Sequence, residues 1–70
     1  MNQMLFSEKT TQLSIHEQKV LELLLKGLAN KQIALELQVC EKTVEKHLTS
    51  IYRKIGVTSR TEAILWGTKR

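Results

Sequence analysis

The sequence predicts an all-α domain, and three observations carry that expectation. Proline is absent and only three glycines occur in 70 residues, which argues against a turn-rich β-sandwich and against a linker-like or collagen-like chain. From Leu13 onward apolar residues recur at spacings of three and four, with no strand-like alternation. Ser14 with Glu17, and Ser59 with Glu62, are two capping boxes that mark helix starts. At 41% hydrophobic and 26% charged residues the chain is too apolar for wholesale disorder. Its length allows one small domain with a shallow core, so idealised helix packing or oligomerisation must add stability. The single cysteine, Cys40, excludes an internal disulfide and any multi-cysteine zinc site. No apolar run approaches the roughly 18 residues of a membrane span, and the N-terminus lacks a signal peptide's layout. The expected setting is the cytoplasm, with no membrane partner.

Residues 1–12 are polar apart from Met4, Leu5 and Phe6, show no period, and are expected to form a flexible N-terminal tail. Residues 13–70 form the domain. Helix 1 is expected from Ile15 to about Lys26, with Glu17, Val20, Leu21, Leu24 and Leu28 on one stripe and Gly27 as its left-handed stop. Asn30, Ile33, Ala34 and Leu37 give helix 2, about eight residues long. Gln38, Val39 and Cys40 leave room for only a tight turn. Val44, Leu48, Ile51 and Ile55 then recur at spacings of 4, 3 and 4, giving a helix 3 of about fifteen residues. Gly56 stops it, Val57 supplies the folded-back apolar contact, and helix 4 runs from Arg60 to about Gly67. A short helix, a three-residue turn and a longer helix with a basic outer face is the helix-turn-helix plan, a layout that generic helical hairpins share.

The net charge of +4 is unevenly placed. Residues 1–41 carry four lysines against five glutamates, a net of −1, whereas residues 42–70 carry seven basic residues against Glu45 and Glu62, a net of +5. A one-sided basic field suits a polyanion, because neutralised phosphates release condensed counterions; a solvated helix face is the plainer alternative. At about 100° per residue, Val44, Leu48, Ile51 and Ile55 form the buried seam of helix 3. Lys42, Lys46, Thr49 and Arg53 fall opposite, at about 140° to 200°, with Glu45 and Ser50 flanking them. The first turn of helix 3 aims free N–H groups and the positive dipole end outward, so Lys42 and Thr43 can engage phosphate. Base discrimination needs donors and acceptors at the groove floor, which selects Glu45, Lys46 and Thr49. Lys46 can donate to guanine, and Glu45 can accept from cytosine N4 or, alternatively, pair with Lys42 or Thr49 on its own helix. Stacking on single strands is disfavoured, since Phe6, Tyr52 and Trp66 lie off this face. Double-stranded DNA is the expected partner.

The strings LSIHEQKVLELLLKGLANKQIALELQV and EKTVEKHLTSIYRKIGVTSRTEAI closely resemble the LuxR-type helix-turn-helix domain, also found as the output domain of bacterial response regulators. The resemblance runs from about Leu13 to Trp66, with KTVEKHL and GVTSRTEA the most specific segments. It implies a transcription regulator that binds DNA as a dimer, with helix 3 as the recognition helix in the major groove and helix 4 at the dimer contact. Residue by residue it implies base-reading roles for Glu45, Lys46 and Thr49, and phosphate contacts for Lys31, Lys42, Thr43, Arg53 and Lys54. Glu45 stands where the family commonly has lysine or arginine, which puts the preferred base in question. Ala29 and Cys40 stand where the family usually has a capping serine. Losing such a cap costs about 1 kcal/mol; Asn30 is expected to substitute for helix 2, while the Cys40 thiol is a poor acceptor.

Two further contacts are expected. Glu17 lies on the apolar stripe of helix 1, where an acid needs a partner, and an inward-facing Arg60 is the candidate. Leu65 and Trp66 lie on the opposite side of helix 4, expected as a homodimer surface, with a lone tryptophan resting on helix 1 or the tail as the alternative. His16 and His47 lack a companion carboxylate and cysteine cluster, so neither catalysis, a metal nor another cofactor is expected; His47 is expected to pack or to bond a phosphate. Cys40 is read as a tolerated small residue in preference to a redox switch. The leading reading is a nucleoid-associated regulator without a sensor domain of its own, and the start at Met1 favours a stand-alone chain. The alternative is an interaction module that binds RNA polymerase or another regulator.

Overall fold

A computed structural model describes residues 12–69. The expected tail, apart from Gln12, lies outside the described residues, as does Arg70. Four helices follow one another: α1 (Ile15–Leu25), α2 (Asn30–Leu37), α3 (Glu41–Ile55) and α4 (Arg60–Thr68). Every expected helix is present, with bounds within one residue of those read from the sequence.

Local chemistry sets most of the bounds. Ser14 Oγ accepts from the Glu17 N–H at 3.1 Å while Glu17 Oε1 accepts from the Ser14 N–H at 3.0 Å, closing the capping box of α1. At its other end Gly27 takes φ +91°, the Leu28 N–H reaches back to Leu23 O at 3.2 Å, and the Gly27 N–H to Leu24 O at 2.9 Å. Those two bonds cap orphan carbonyls and turn the chain. Gly56 plays the same part after α3 at φ +80°, with the Val57 N–H bonded to Tyr52 O at 2.9 Å and Val57 packed on the core. The stop after α2 differs, because Gln38 adopts the left-handed conformation at φ 59° and lets the Val39 N–H reach Ala34 O at 3.0 Å. Ser59 caps α4 by accepting from the Glu62 N–H at 3.1 Å, but the Glu62 carboxylate accepts from the N–H and hydroxyl of Thr58.

The caps of α2 and α3 correct one expectation. Ala29 and Cys40 do occupy the N-cap positions, and neither offers a side-chain cap bond. Asn30 does not substitute: its Oδ1 accepts from Arg60 Nη1 at 2.7 Å, and it is Gln32 Oε1 that accepts from the Ala29 N–H at 3.0 Å.

The core joins Leu13, Val20, Leu21 and Leu24 of the first segment to Ile33 and Ala34 of α2, the seam Val44, Leu48, Ile51 and Ile55 of α3, and Ala63 of α4. Burying such side chains contributes about 1.5–3 kcal/mol each. α1 and α3 each pack against the other three helices, so the outer face of α3 is aimed by the whole core. α4 closes on α1 where Gly67 leaves room for the Leu25 side chain.

Glu17 is the only buried charged residue among those described, 6% exposed, and its partner corrects the sequence-based expectation. Lys54 Nζ donates to Glu17 Oε1 at 2.9 Å, tying α3 to α1. Arg60 is engaged elsewhere: its Nη1 and Nη2 donate to Asn30 Oδ1 and to Leu28 O, both at 2.7 Å. The fork of the guanidinium suits two acceptors, one on the α1–α2 connection and one at the first residue of α2, whereas the single ammonium of a lysine suffices for one carboxylate oxygen. Burial raises the Glu17 pKa, but the Lys54 ammonium, the Ser14 N–H and the Ser50 hydroxyl outweigh it and hold the group at about 2.

Candidate nucleic-acid interface

The candidate face follows from the packing of α3. Because Val44, Leu48, Ile51 and Ile55 are buried, a helix of 3.6 residues per turn must present its other side outward. Lys42, Glu45, Lys46, Thr49, Ser50 and Arg53 line one open, shallow depression there. All but Ser50, which is half-buried, are exposed. Among the described residues, the ion pair of Lys54 with Glu17 is the one salt bridge, so the cationic heads of Lys42, Lys46 and Arg53 remain available to an external anion. The Glu45 carboxylate likewise has no hydrogen-bond or ion-pair partner among the described residues, so the alternative of an intrahelical pairing with Lys42 or Thr49 does not form. The Thr49 hydroxyl instead donates to the Glu45 backbone carbonyl at 3.1 Å.

The start of α3 adds partial positive charge to this face. Its first N–H groups receive no side-chain cap bond; the Thr43 N–H bonds Cys40 O at 3.1 Å, and those of Glu41 and Lys42 before it retain capacity for an anion. Cys40 Sγ lies 3.3 Å from Thr43 Oγ1. The Thr43 hydroxyl, followed by the Thr43 amide, holds this exposed thiol below its ordinary pKa. Lys31 is exposed on α2.

Two residues are placed differently from what their expected roles require, and one juxtaposition was not expected. Lys54 belongs to the flank of α3 that meets α1, where it neutralises Glu17 instead of pointing into the depression. Trp66 is partly buried against the core, short of the open surface expected of it, whereas Leu65 is 52% exposed. The unexpected feature is a juxtaposition. His16 of α1 and His47 of α3 stack with ring centroids 6.3 Å apart and planes 9° apart, a contact that a separation of thirty-one residues conceals in the sequence. Among the described residues no three potential metal ligands converge, and no helix is long and apolar enough to cross a membrane.

The short helix α2, the tight three-residue turn after it and the outward basic helix α3 together define the helix-turn-helix class of regulatory domain. Residues 11–66 match the GerE family, bacterial regulatory proteins of the luxR family. The chain belongs to that family. It is 54% identical over 54 residues to the transcriptional regulatory protein YdfI of Bacillus subtilis (strain 168), covering 77% of this chain and 25% of that protein. It is 41% identical over 59 residues to the probable HTH-type transcriptional regulator GfsR of Streptomyces halstedii, covering 84% of this chain and 24% of the relative. Among solved structures, the response regulator StyR superposes with a TM-score of 0.84 at 36% identity, over 99% of this chain and 35% of that one. The chain thus spans about a quarter of the length of these two regulators.

Proposed function

We propose that this domain binds double-stranded DNA sequence-specifically as part of transcription regulation, inserting α3 into the major groove and acting as a dimer on paired half-sites. The observation that carries the reading is the set of unpaired cations, Lys42, Lys46 and Arg53, brought to one exposed face of α3. Lys42, Thr43 and Arg53, with Lys31 of α2, are assigned to phosphates, and Glu45, Lys46 and Thr49 to base edges. Lys54 is assigned a lesser phosphate role, because its ammonium already serves Glu17. Leu65 is the centre of the proposed dimer contact, with the partly buried Trp66, its neighbour in sequence, assigned to the same contact. Working on the chromosome, the protein would reside in the bacterial cytoplasm.

Titrating the 70-residue chain against duplexes over a range of stated salt concentrations tests this. Lys42→Ala should weaken all sequences alike and lower the salt slope by about 1, whereas Lys46→Ala should relax base preference. If both variants bind every duplex as the parent does, the domain is instead an interaction module for RNA polymerase or another regulator, a reading favoured by the 52% exposure of Leu65. Sedimentation of the chain alone and on a duplex with two half-sites tests the dimer; a strict monomer in both would remove it.

A further inference from the structure

We infer that Glu45 is a specificity-determining residue that selects cytosine, through its N4 amino group, at one fixed position of each half-site; the inference rests on the major-groove reading of α3. Three features of the face support it. The first is that the Glu45 side chain is exposed in the depression and has no partner among the described residues. An unpaired carboxylate carried into a groove between phosphates is repelled by them, and loses water as well. Only a donor on the groove floor offsets that cost.

The second feature is chemical. An ionised carboxylate is acceptor-only, so it meets repulsion from guanine, which presents N7 and O6 acceptors, and from thymine, which presents the O4 acceptor. Adenine offers its N6 amine but sets the N7 acceptor beside it, opposing the second carboxylate oxygen. Cytosine offers the N4 amine without an adjacent acceptor of its own. It is therefore the base that leaves neither oxygen facing another acceptor on the contacted strand.

The third feature is the neighbourhood. Lys46, the next residue, carries only donors and suits guanine O6 and N7, so two adjacent side chains of opposite charge require opposite hydrogen-bonding patterns. Thr49, one turn on, has its hydroxyl hydrogen engaged by the Glu45 backbone carbonyl. It offers the groove a methyl group, a surface suited to the methyl of thymine, and no donor that would compete for the Glu45 position.

Selection of bound duplexes from a random pool by the parent chain, Glu45→Gln and Glu45→Ala tests the inference. Glu45 is exposed and makes no side-chain bond, so both variants should retain the parent's melting transition, checked by circular dichroism. The parent should enrich cytosine at one position per half-site, and replacing that base should weaken binding roughly 5- to 150-fold. Glu45→Gln should move the preference at that position to adenine, whose N6 and N7 an amide satisfies together. Glu45→Ala should bind non-specific duplexes more tightly than the parent, because repulsion from phosphate is gone, while losing preference at that one position. If the parent enriches a motif and all three proteins enrich the same one, the inference is overturned while the DNA reading stands. If no protein enriches or retains any duplex, the DNA reading itself falls, and the inference with it.

Discussion

Lys54 reaches from α3 across the core edge to Glu17 of α1, with Nζ and Oε1 2.9 Å apart. The helix that presents the basic face is thereby fastened through its inner flank to the helix beneath it. One cation is neutralised inside the domain, leaving Lys42, Lys46 and Arg53 as the open cations of the outer face beside the unpaired Glu45 carboxylate.

Removing the ammonium should destabilise the fold. Lys54→Met keeps the apolar stem and leaves Glu17 without its strongest partner. The lysine side chain is 33% exposed, so water partly replaces the lost contact, and the expected loss is about 1–3 kcal/mol. Urea denaturation followed by circular dichroism measures it; an unchanged midpoint would show that the pair contributes nothing.

Acid should expose the same interaction. The folded pKa of Glu17, about 2, lies below the ordinary carboxylate value of 4.5. A depressed folded pKa means that the unfolded chain takes up the proton first. The associated stability is present above pH 4.5 and lost as pH falls from there toward 2. At 1.36 kcal/mol per pKa unit the contribution is about 3 kcal/mol. Glu17→Gln should flatten this part of the stability-against-pH curve, leaving the smaller dependence of Glu62, which is lowered by its bonds to the Thr58 N–H and hydroxyl. Identical acid limbs in parent and variant would refute the assignment.

The stop after α2 offers a stabilising change. Gln38 is exposed and holds φ 59°, a conformation that costs an L-residue roughly 1–2 kcal/mol. Glycine relieves that strain, although its freer unfolded chain returns roughly 0.5–1 kcal/mol. Gln38→Gly should therefore gain about 0.5–1 kcal/mol, seen as a higher thermal midpoint. A lower midpoint would mean that the glutamine side chain itself supports the turn.

Caps should add to this. Ala29→Ser and Cys40→Ser place hydroxyl acceptors at the uncapped starts of α2 and α3, where the backbone already holds the extended N-cap conformation. Each should contribute about 0.5–1 kcal/mol, and the double variant should approach the sum. Calorimetry checks both; a serine variant that melts below its parent would count against the cap argument at that site.

The helices were legible because their limits are set by neighbours in sequence. Ser14 meets Glu17 three residues on, and Leu28 and Val57 reach back five residues to Leu23 and Tyr52, spans over which spacing alone determines contact. The outer face of α3 was legible for a related reason, since a buried seam of four residues fixes which side of a regular helix turns outward. What escaped depended on reach in three dimensions. Lys54 lies about 80° around the helix from Val44, on the flank that meets α1, a position that disfavours a groove contact once the direction of α1 is known. Arg60 was expected to meet Glu17, and only the path of the α1–α2 connection reveals Leu28 O and Asn30 as its acceptors instead. The His16 and His47 stack needed the packing of α1 on α3. Gln38 gave no sign of its left-handed backbone because glycine, the usual marker, is absent there.

Arg60, the first residue of α4, grips both the carbonyl that follows α1 and the side chain that begins α2. Tilting α4 away would strand two acceptors and a guanidinium at once. The last helix and the turn leading into α2 consequently shift together or not at all, so a partner pulling on α4 exerts torque on the entire bundle. Docking of such a body carries little internal ordering entropy, and its heat-capacity change should reflect the surface covered rather than any refolding.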